Sequence, residues 1–189
     1  LEQPLPAEAL RPIPAPLGLR SCIRFESVDF AYLSAGTLIL KDINLKIHKG
    51  ERVGIVGFTG SGKSTVLDIL MGLLRPSGGR LLVDDVPITE ENSLAWRQSI
   101  AHVPQSIFLA DASIAENIAL GKSVADIDMD RVRRAASQAK IADIIESRSG
   151  GYFTRVGERG VKLSGGQRQR IAIARALYKN ASILVLDEA

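Results

Sequence analysis

The chain is poor in cysteine, in aromatic residues and in long apolar runs, and each shortage excludes something. Cys22 is the single cysteine, so no internal disulfide can form, and this usage suits a reducing compartment. No uninterrupted apolar run approaches the ~18 residues of a helical membrane span, so none is predicted within these residues. The first residues lack the basic-then-apolar shape of a signal peptide. An excess of one charge is missing too: 24 Lys and Arg stand against 21 Asp and Glu, a formal net charge of +3. That balance is too weak to imply a nucleic-acid partner. The basic residues that do cluster, Arg131, Arg133 and Arg134, fit a solvated helix face. What is left, 46% hydrophobic and 24% charged over 189 residues, is enough for one globular domain with a real core.

Proline is unevenly spread. Pro4, Pro6, Pro12, Pro14 and Pro16 all fall in the first twenty residues. Residues 1–21 therefore read as an extended, semi-rigid linker, and a chain that opens on Leu1 is expected to be cut from something longer.

The stretch that organises the rest is Gly57-Phe58-Thr59-Gly60-Ser61-Gly62-Lys63-Ser64-Thr65. It fits the phosphate-loop pattern G-x-x-x-x-G-K-[ST]. The apolar run Arg52–Val56 before it reads as a buried parallel strand, and Ser64–Leu70 after it reads as a helix. Strand, glycine-rich turn and helix are the context the motif needs. Gly57, Gly60 and Gly62 can adopt backbone angles that a Cβ forbids, which turns their amides inward as a cradle for phosphate oxygens. The helix start adds unpaired N–H groups. Lys63 brings a full charge to the β- and γ-phosphates, and the Ser64 hydroxyl is placed to ligate Mg²⁺.

Alternation of apolar and polar residues predicts strands at Ile23–Phe30 and Ile43–Ile47, a small antiparallel layer. Pro76–Gly79 is turn chemistry, and Arg80–Val83 returns as a strand. Ser99–Val103 is another short strand, ended by Pro104 and followed by Gln105. Ser113 and Glu116 form a capping box for a helix over Ile114–Leu120. Asp128 caps a further helix to about Lys140. Residues from about 106 to 165 thus read as an inserted helical subdomain. Leu163-Ser164-Gly165-Gly166-Gln167 opens an apolar-periodic helix with Ile171, Ile173, Ala174 and Leu177 on it. Ile183–Leu186 reads as a buried parallel strand. Asp187 and Glu188 follow at its carboxyl end, where α/β sheets bind ligands.

A phosphate loop, Leu-Ser-Gly-Gly-Gln and an apolar strand ending in Asp-Glu together resemble the nucleotide-binding domain of ATP-binding cassette (ABC) transporters, over roughly residues 22–189. The resemblance implies an α/β fold: a P-loop NTPase core with a mainly parallel sheet, an N-terminal antiparallel β layer and the inserted helical subdomain. It implies ATP and Mg²⁺ as ligands. Gly57, Thr59, Gly60, Ser61, Gly62, Lys63, Ser64 and Thr65 would hold the phosphates, and Tyr32 would stack on adenine. Ser64, Gln105 and Asp187 would serve the metal, and Glu188 would polarise the attacking water, with Lys63 and Gln105 assisting. Ser164, Gly165, Gly166 and Gln167 would face the γ-phosphate held by a second nucleotide-binding domain in a head-to-tail dimer. Asp111–Ile118 and Thr154–Gly160 resemble exporter-type domains, in which the second segment touches coupling helices of a membrane domain at the cytoplasmic face. Arg155 departs from the acidic residue often found there, which leaves its partner open. The family's interface loop and histidine beyond this point are absent from the chain, and neither His48 nor His102 can stand in. ATP binding with little turnover is therefore expected of these residues alone.

A soluble ABC ATPase acting on DNA or ribosomes is the alternative, but Gln105 to Leu163 holds no sustained heptads of the kind DNA-repair relatives carry. Glu188 speaks against a nucleotide sensor without turnover, and the Leu163–Gln167 segment against a small-molecule kinase.

Overall fold

Alternating apolar residues build the first sheet, as expected. The computed structural model describes residues 14–33 and 36–187, in two units, the first reaching to Ile100 and the second starting at Ala101. In the first, β1 (Cys22–Phe30) and β2 (Leu40–His48) pair antiparallel, from Cys22 opposite His48 to Phe30 opposite Leu40. β3 (Gly78–Val83) lies antiparallel along the other edge of β1, and the two-residue β4 (Val86–Pro87) pairs with β3, for the order β2-β1-β3-β4. Each of β1, β2 and β3 is a little longer than the pattern suggested. The inward residues Ile23, Phe25, Val28 and Phe30 are buried with Leu40, Leu81 and Val83. The register slips on either side of Val28, and Ser27 has φ 44° there. Against this bulge Gly79 has φ 69°, and a Cβ on it would stand 2.2 Å from the Ser27 carbonyl oxygen, so only glycine fits.

Two helices complete the unit. α1 (Lys63–Leu70) buries Val66, Ile69 and Leu70. α2 (Ser93–Gln98) has only six residues, too few for a periodic signal in the sequence. It is fixed by Trp96, which is fully buried and donates its indole N–H to the Leu70 carbonyl at 2.7 Å. The chain just ahead of β1 is fastened to the same unit. Leu17 N–H donates to the Ala95 carbonyl, Ser99 donates to the Leu17 carbonyl, and the Asp84 carboxylate accepts the amides of Arg20, Ser21 and Cys22.

One expectation fails here. Residues 52–56 are not a strand and belong to neither sheet. Val56 is 92% exposed. A buried parallel strand needs a hydrogen-bonded neighbour and cover on both faces; an apolar run with no ladder partner has neither.

The second unit is mostly helical. α3 (Ile114–Ile118), α4 (Met129–Gln138), α5 (Ala142–Glu146) and α6 (Gly165–Lys179) surround one core in which Leu109, Ile118, Val132, Ile145 and Ile171 are almost wholly buried. The caps are where the residues put them: Ser113 and Glu116 form a reciprocal box at the start of α3, and Asp128 accepts the Arg131 amide at the start of α4. β5 (Ile100–Val103) and β6 (Ile183–Leu186) pair as a two-stranded sheet. Asp187 N–H donates to the Val103 carbonyl at 3.0 Å, so the carboxyl ends of both strands lie together and the pair is parallel. β6 was expected to be buried throughout. Val185 is, while Leu184 and Leu186 are about half exposed, because β5 is the only strand paired with β6 among the described residues.

Candidate functional site

The phosphate loop keeps its shape through two different uses of glycine. Gly62 is the N-cap of α1 with φ 87°, and Gly60 has φ 81°, both in the left-handed region that a side chain disfavours. Gly57 is needed for space instead: a Cβ there would meet the Ser61 hydroxyl at 2.6 Å. Ser61 N–H closes the turn onto the Phe58 carbonyl at 3.1 Å. Thr59 and Ser64 are exposed, and Thr65 is buried in the first turn of α1. Lys63 folds back over the loop, its Nζ donating to the carbonyls of Gly57 and Phe58, each at 2.9 Å. A cation held only by neutral oxygens can exchange them for phosphate, since a charge-assisted hydrogen bond is roughly twice as strong. The loop therefore fits a polyphosphate: a cradle that a Cβ would fill, a helix start, and a cation within reach.

Tyr32 lies beside this loop. Its hydroxyl is 3.5 Å from Thr65 Oγ1, and Phe30 supports its ring edge-on at 5.0 Å. At 63% exposed it is not a core tyrosine, and its ring is open to a planar ligand.

In the second unit, Gln105 and Asp187 come to one place. Gln105 follows β5 after Pro104, Asp187 follows β6, and the Asp187–Val103 hydrogen bond sets the two strand ends level. An open cleft of about 410 Å³ has Gln105, Ser106 and Ile107 on its walls together with Gly165, Arg168 and Gln169 of α6. Gln105 and the start of α6 thus share one cleft.

Ser164 caps α6 in a reciprocal box. Its hydroxyl accepts the Gln167 amide at 3.3 Å, and the Gln167 side chain accepts the Ser164 amide at 3.1 Å. Leu163 is buried and anchors the turn, while Ser164, Gly165 and Gly166 are exposed. The cap accounts for Ser164 and Gln167 within the chain. It does not account for Gly166, where a Cβ would meet nothing within 4 Å.

Glu188 lies outside the described residues. Two contacts were not legible in the sequence. Arg148 Nη2 donates to Gln167 Oε1 at 3.3 Å, from a stretch with no periodicity to place it. Arg155, whose partner the sequence does not name, donates to the Asp111 carbonyl at 2.8 Å and lies 3.8 Å from its carboxylate, across an isolated bridge between Ser113 and Arg155. The Glu116 carboxyl below it is held under its usual range, first by the Ser113 hydroxyl and amide, with Arg155 adding to them.

Known proteins resemble this chain over most of its length. A solved structure described as a bacterial Atm1-family ABC exporter with ATP bound superposes at a TM-score of 0.82, with 41% identity over 93% of this chain and 30% of that one. The ATP-dependent lipid A-core flippase of Chromohalobacter salexigens is 46% identical over all 189 residues, which make up 32% of its length. The β-(1→2)glucan export ATP-binding/permease protein NdvA of Rhizobium meliloti is 47% identical over 163 residues, 86% of this chain and 27% of that protein. The chain therefore spans about a third of the length of the curated relatives it matches. The model of the ABC transporter family matches residues 40–189, from the start of β2 through the phosphate loop and α6 to the last residue, and the chain belongs to that family.

Proposed function

We propose that this chain is the ATP-binding and ATP-hydrolysing motor of an ABC exporter. The observation that carries the reading is the Gly57–Ser64 loop, a cradle at the start of α1 with the Lys63 cation folded over it. Phosphates would replace the carbonyls of Gly57 and Phe58 on Lys63, and the adenine would lie on Tyr32. Ser64 of the first unit offers a hydroxyl, and Gln105 and Asp187 of the second offer amide and carboxylate oxygens, donor types that suit Mg²⁺. Held by these groups, Mg²⁺ would supply positive charge to offset that of the phosphates. Glu188, next in the chain after Asp187, is the proposed base for the attacking water, with Gln105 orienting it.

The head-to-tail pair is supported by Gly166. Gly166 stands in the first turn of α6, glycine is a poorer helix former than alanine, and among the described residues nothing lies within 4 Å of a Cβ at that position, so no neighbour there requires a glycine. A second nucleotide-binding domain, bringing its bound γ-phosphate close to the exposed turn Ser164–Gly166, would require it. Among the apolar side chains exposed on the second unit, Phe108, Leu120 and Phe153 suit contact with the coupling helices of a membrane domain at the cytoplasmic face. Relatives of similar identity are named for lipid A-core and for β-(1→2)glucan, so the cargo is read by the membrane part and not by this one.

The test is Glu188→Gln in the full-length transporter that carries this chain. The amide fills the same space and is a far poorer base. ATP should stay bound, the ATP-bound pair should accumulate in light scattering, and turnover should cease. Turnover near the unmodified rate would remove Glu188 from the role.

A further inference from the structure

Arg175 is the least expected side chain of α6. It lies ten residues beyond Gly165, about 15 Å along the helix at 1.5 Å per residue, and so sits far from the turn Ser164–Gly166. It is flanked by the buried Ala174 and Ala176 and is itself half-buried. All three of its nitrogens donate to neutral oxygens: Nε to the Asn117 carbonyl at 2.8 Å, Nη1 to the Phe108 carbonyl at 3.1 Å and Nη2 to Asn117 Oδ1 at 3.4 Å. Burial draws its pKa below the ordinary guanidinium value. A desolvated cation spent on backbone carbonyls is costly, and here it joins three segments.

Asn117 carries the contact onward. It is fully buried. Its Oδ1 accepts the Ala110 amide at 2.9 Å, and its Nδ2 donates to the carbonyls of Ala110 and Ser113, each at 3.0 Å. The loop from Phe108 to Ser113 is thereby wound around one amide side chain and tied to α6 through one guanidinium, with Leu109 wholly buried in the core beneath. Gln105 is three residues upstream of Phe108 and lines the same cleft as Gly165.

We propose that Arg175, acting through Asn117, is a positioning residue that fastens the Gln105 loop to the helix opened by Ser164–Gln167. The two segments then move as one piece when that helix moves. This rests on the motor reading above, because only there do Gln105 and Ser164 both serve phosphate chemistry. Lysine at 175 can reach one of the three oxygens but cannot span them.

The experiment compares Arg175→Lys and Arg175→Gln with the parent in the full-length transporter, reading ATPase kinetics, ATP affinity, thermal midpoint and amide exchange. ATP affinity should stay within about twofold, because neither Lys63 nor Tyr32 is touched. The kcat should fall on the order of 10- to 100-fold with KM for ATP little changed, as for an ångström-scale misplacement. Exchange should rise in peptides covering residues 105–112, with α4 and α5 keeping their protection. Unchanged exchange over 105–112, or a kcat within twofold of the parent, overturns the proposal. So does exchange rising evenly over the whole unit, which would mark a purely structural role. Lys63→Ala in the same transporter separates the two levels. If it leaves hydrolysis intact, the motor reading itself fails; if it abolishes hydrolysis while Arg175→Lys does nothing, only the positioning role fails.

Discussion

Replacing Gly62 by alanine puts a number on the phosphate loop. At φ 87° a side chain costs about 1–2 kcal/mol for the left-handed conformation. The new Cβ would also stand 2.8 Å from Leu40 Cδ2 and 3.3 Å from Ile39 Cγ2. Leu40 is buried and cannot swing into solvent, so overpacking adds about 1–3 kcal/mol. The chain can meet that sum, roughly 2–5 kcal/mol, in one of two ways. It can keep the loop and lose stability, or it can release the turn and lose the cradle. In the second case ATP binding should weaken about 30-fold or more, at tenfold per 1.4 kcal/mol. Gly60→Ala is the control: its φ is 81° but nothing lies within 4 Å of its Cβ, so only the conformational part applies. Urea denaturation and ATP titration of both variants give the two quantities. A Gly62→Ala chain that matches the parent in both would refute the reasoning, and equal damage from Gly60→Ala would refute the part assigned to Leu40.

Tyr32→Ala should weaken ATP, ADP and adenosine alike by about 1–3 kcal/mol, the usual worth of a base on an aromatic face. Tyr32→Phe should bind nearly as the parent does, since the 3.5 Å hydroxyl contact with Thr65 is long; titration calorimetry distinguishes the two. The Asp84 carboxyl is pushed up by burial, but the amides of Arg20, Cys22 and Ser21 together outweigh that and hold it below its usual value. Its contribution is thus present above the unfolded pKa, near 3.9, and is lost as pH falls through the lowered folded value. Asp84→Asn should flatten this acid limb of the stability profile and raise amide exchange at residues 20–22.

The parts of the fold visible in the sequence are those fixed by local chemistry. Ser113, Asp128 and Ser164 announce their helices because a cap is a contact between residues three apart. Gly57, Gly60 and Gly62 announce the loop because backbone angle and space exclude other residues there. The parts that depend on a distant neighbour were not visible. Residues 52–56 and β6 have the same apolar character, yet only β6 has a strand beside it, so composition could not tell them apart. Trp96 and Arg175 act through carbonyls far away in the chain, and a carbonyl leaves no mark in a residue pattern. Capping and the Gly166 position could be separated only once the space around each was known.

The central claim is that this chain grips ATP by its phosphates through Lys63 and by its base through Tyr32. Titration calorimetry of the parent and Lys63→Ala with Mg-ATP and with adenosine tests it most directly. Lys63→Ala should lose most of its affinity for ATP and keep its weak affinity for adenosine, because the charge it removes meets only phosphate. Equal losses for the two ligands, or ATP binding unchanged by the substitution, would contradict it.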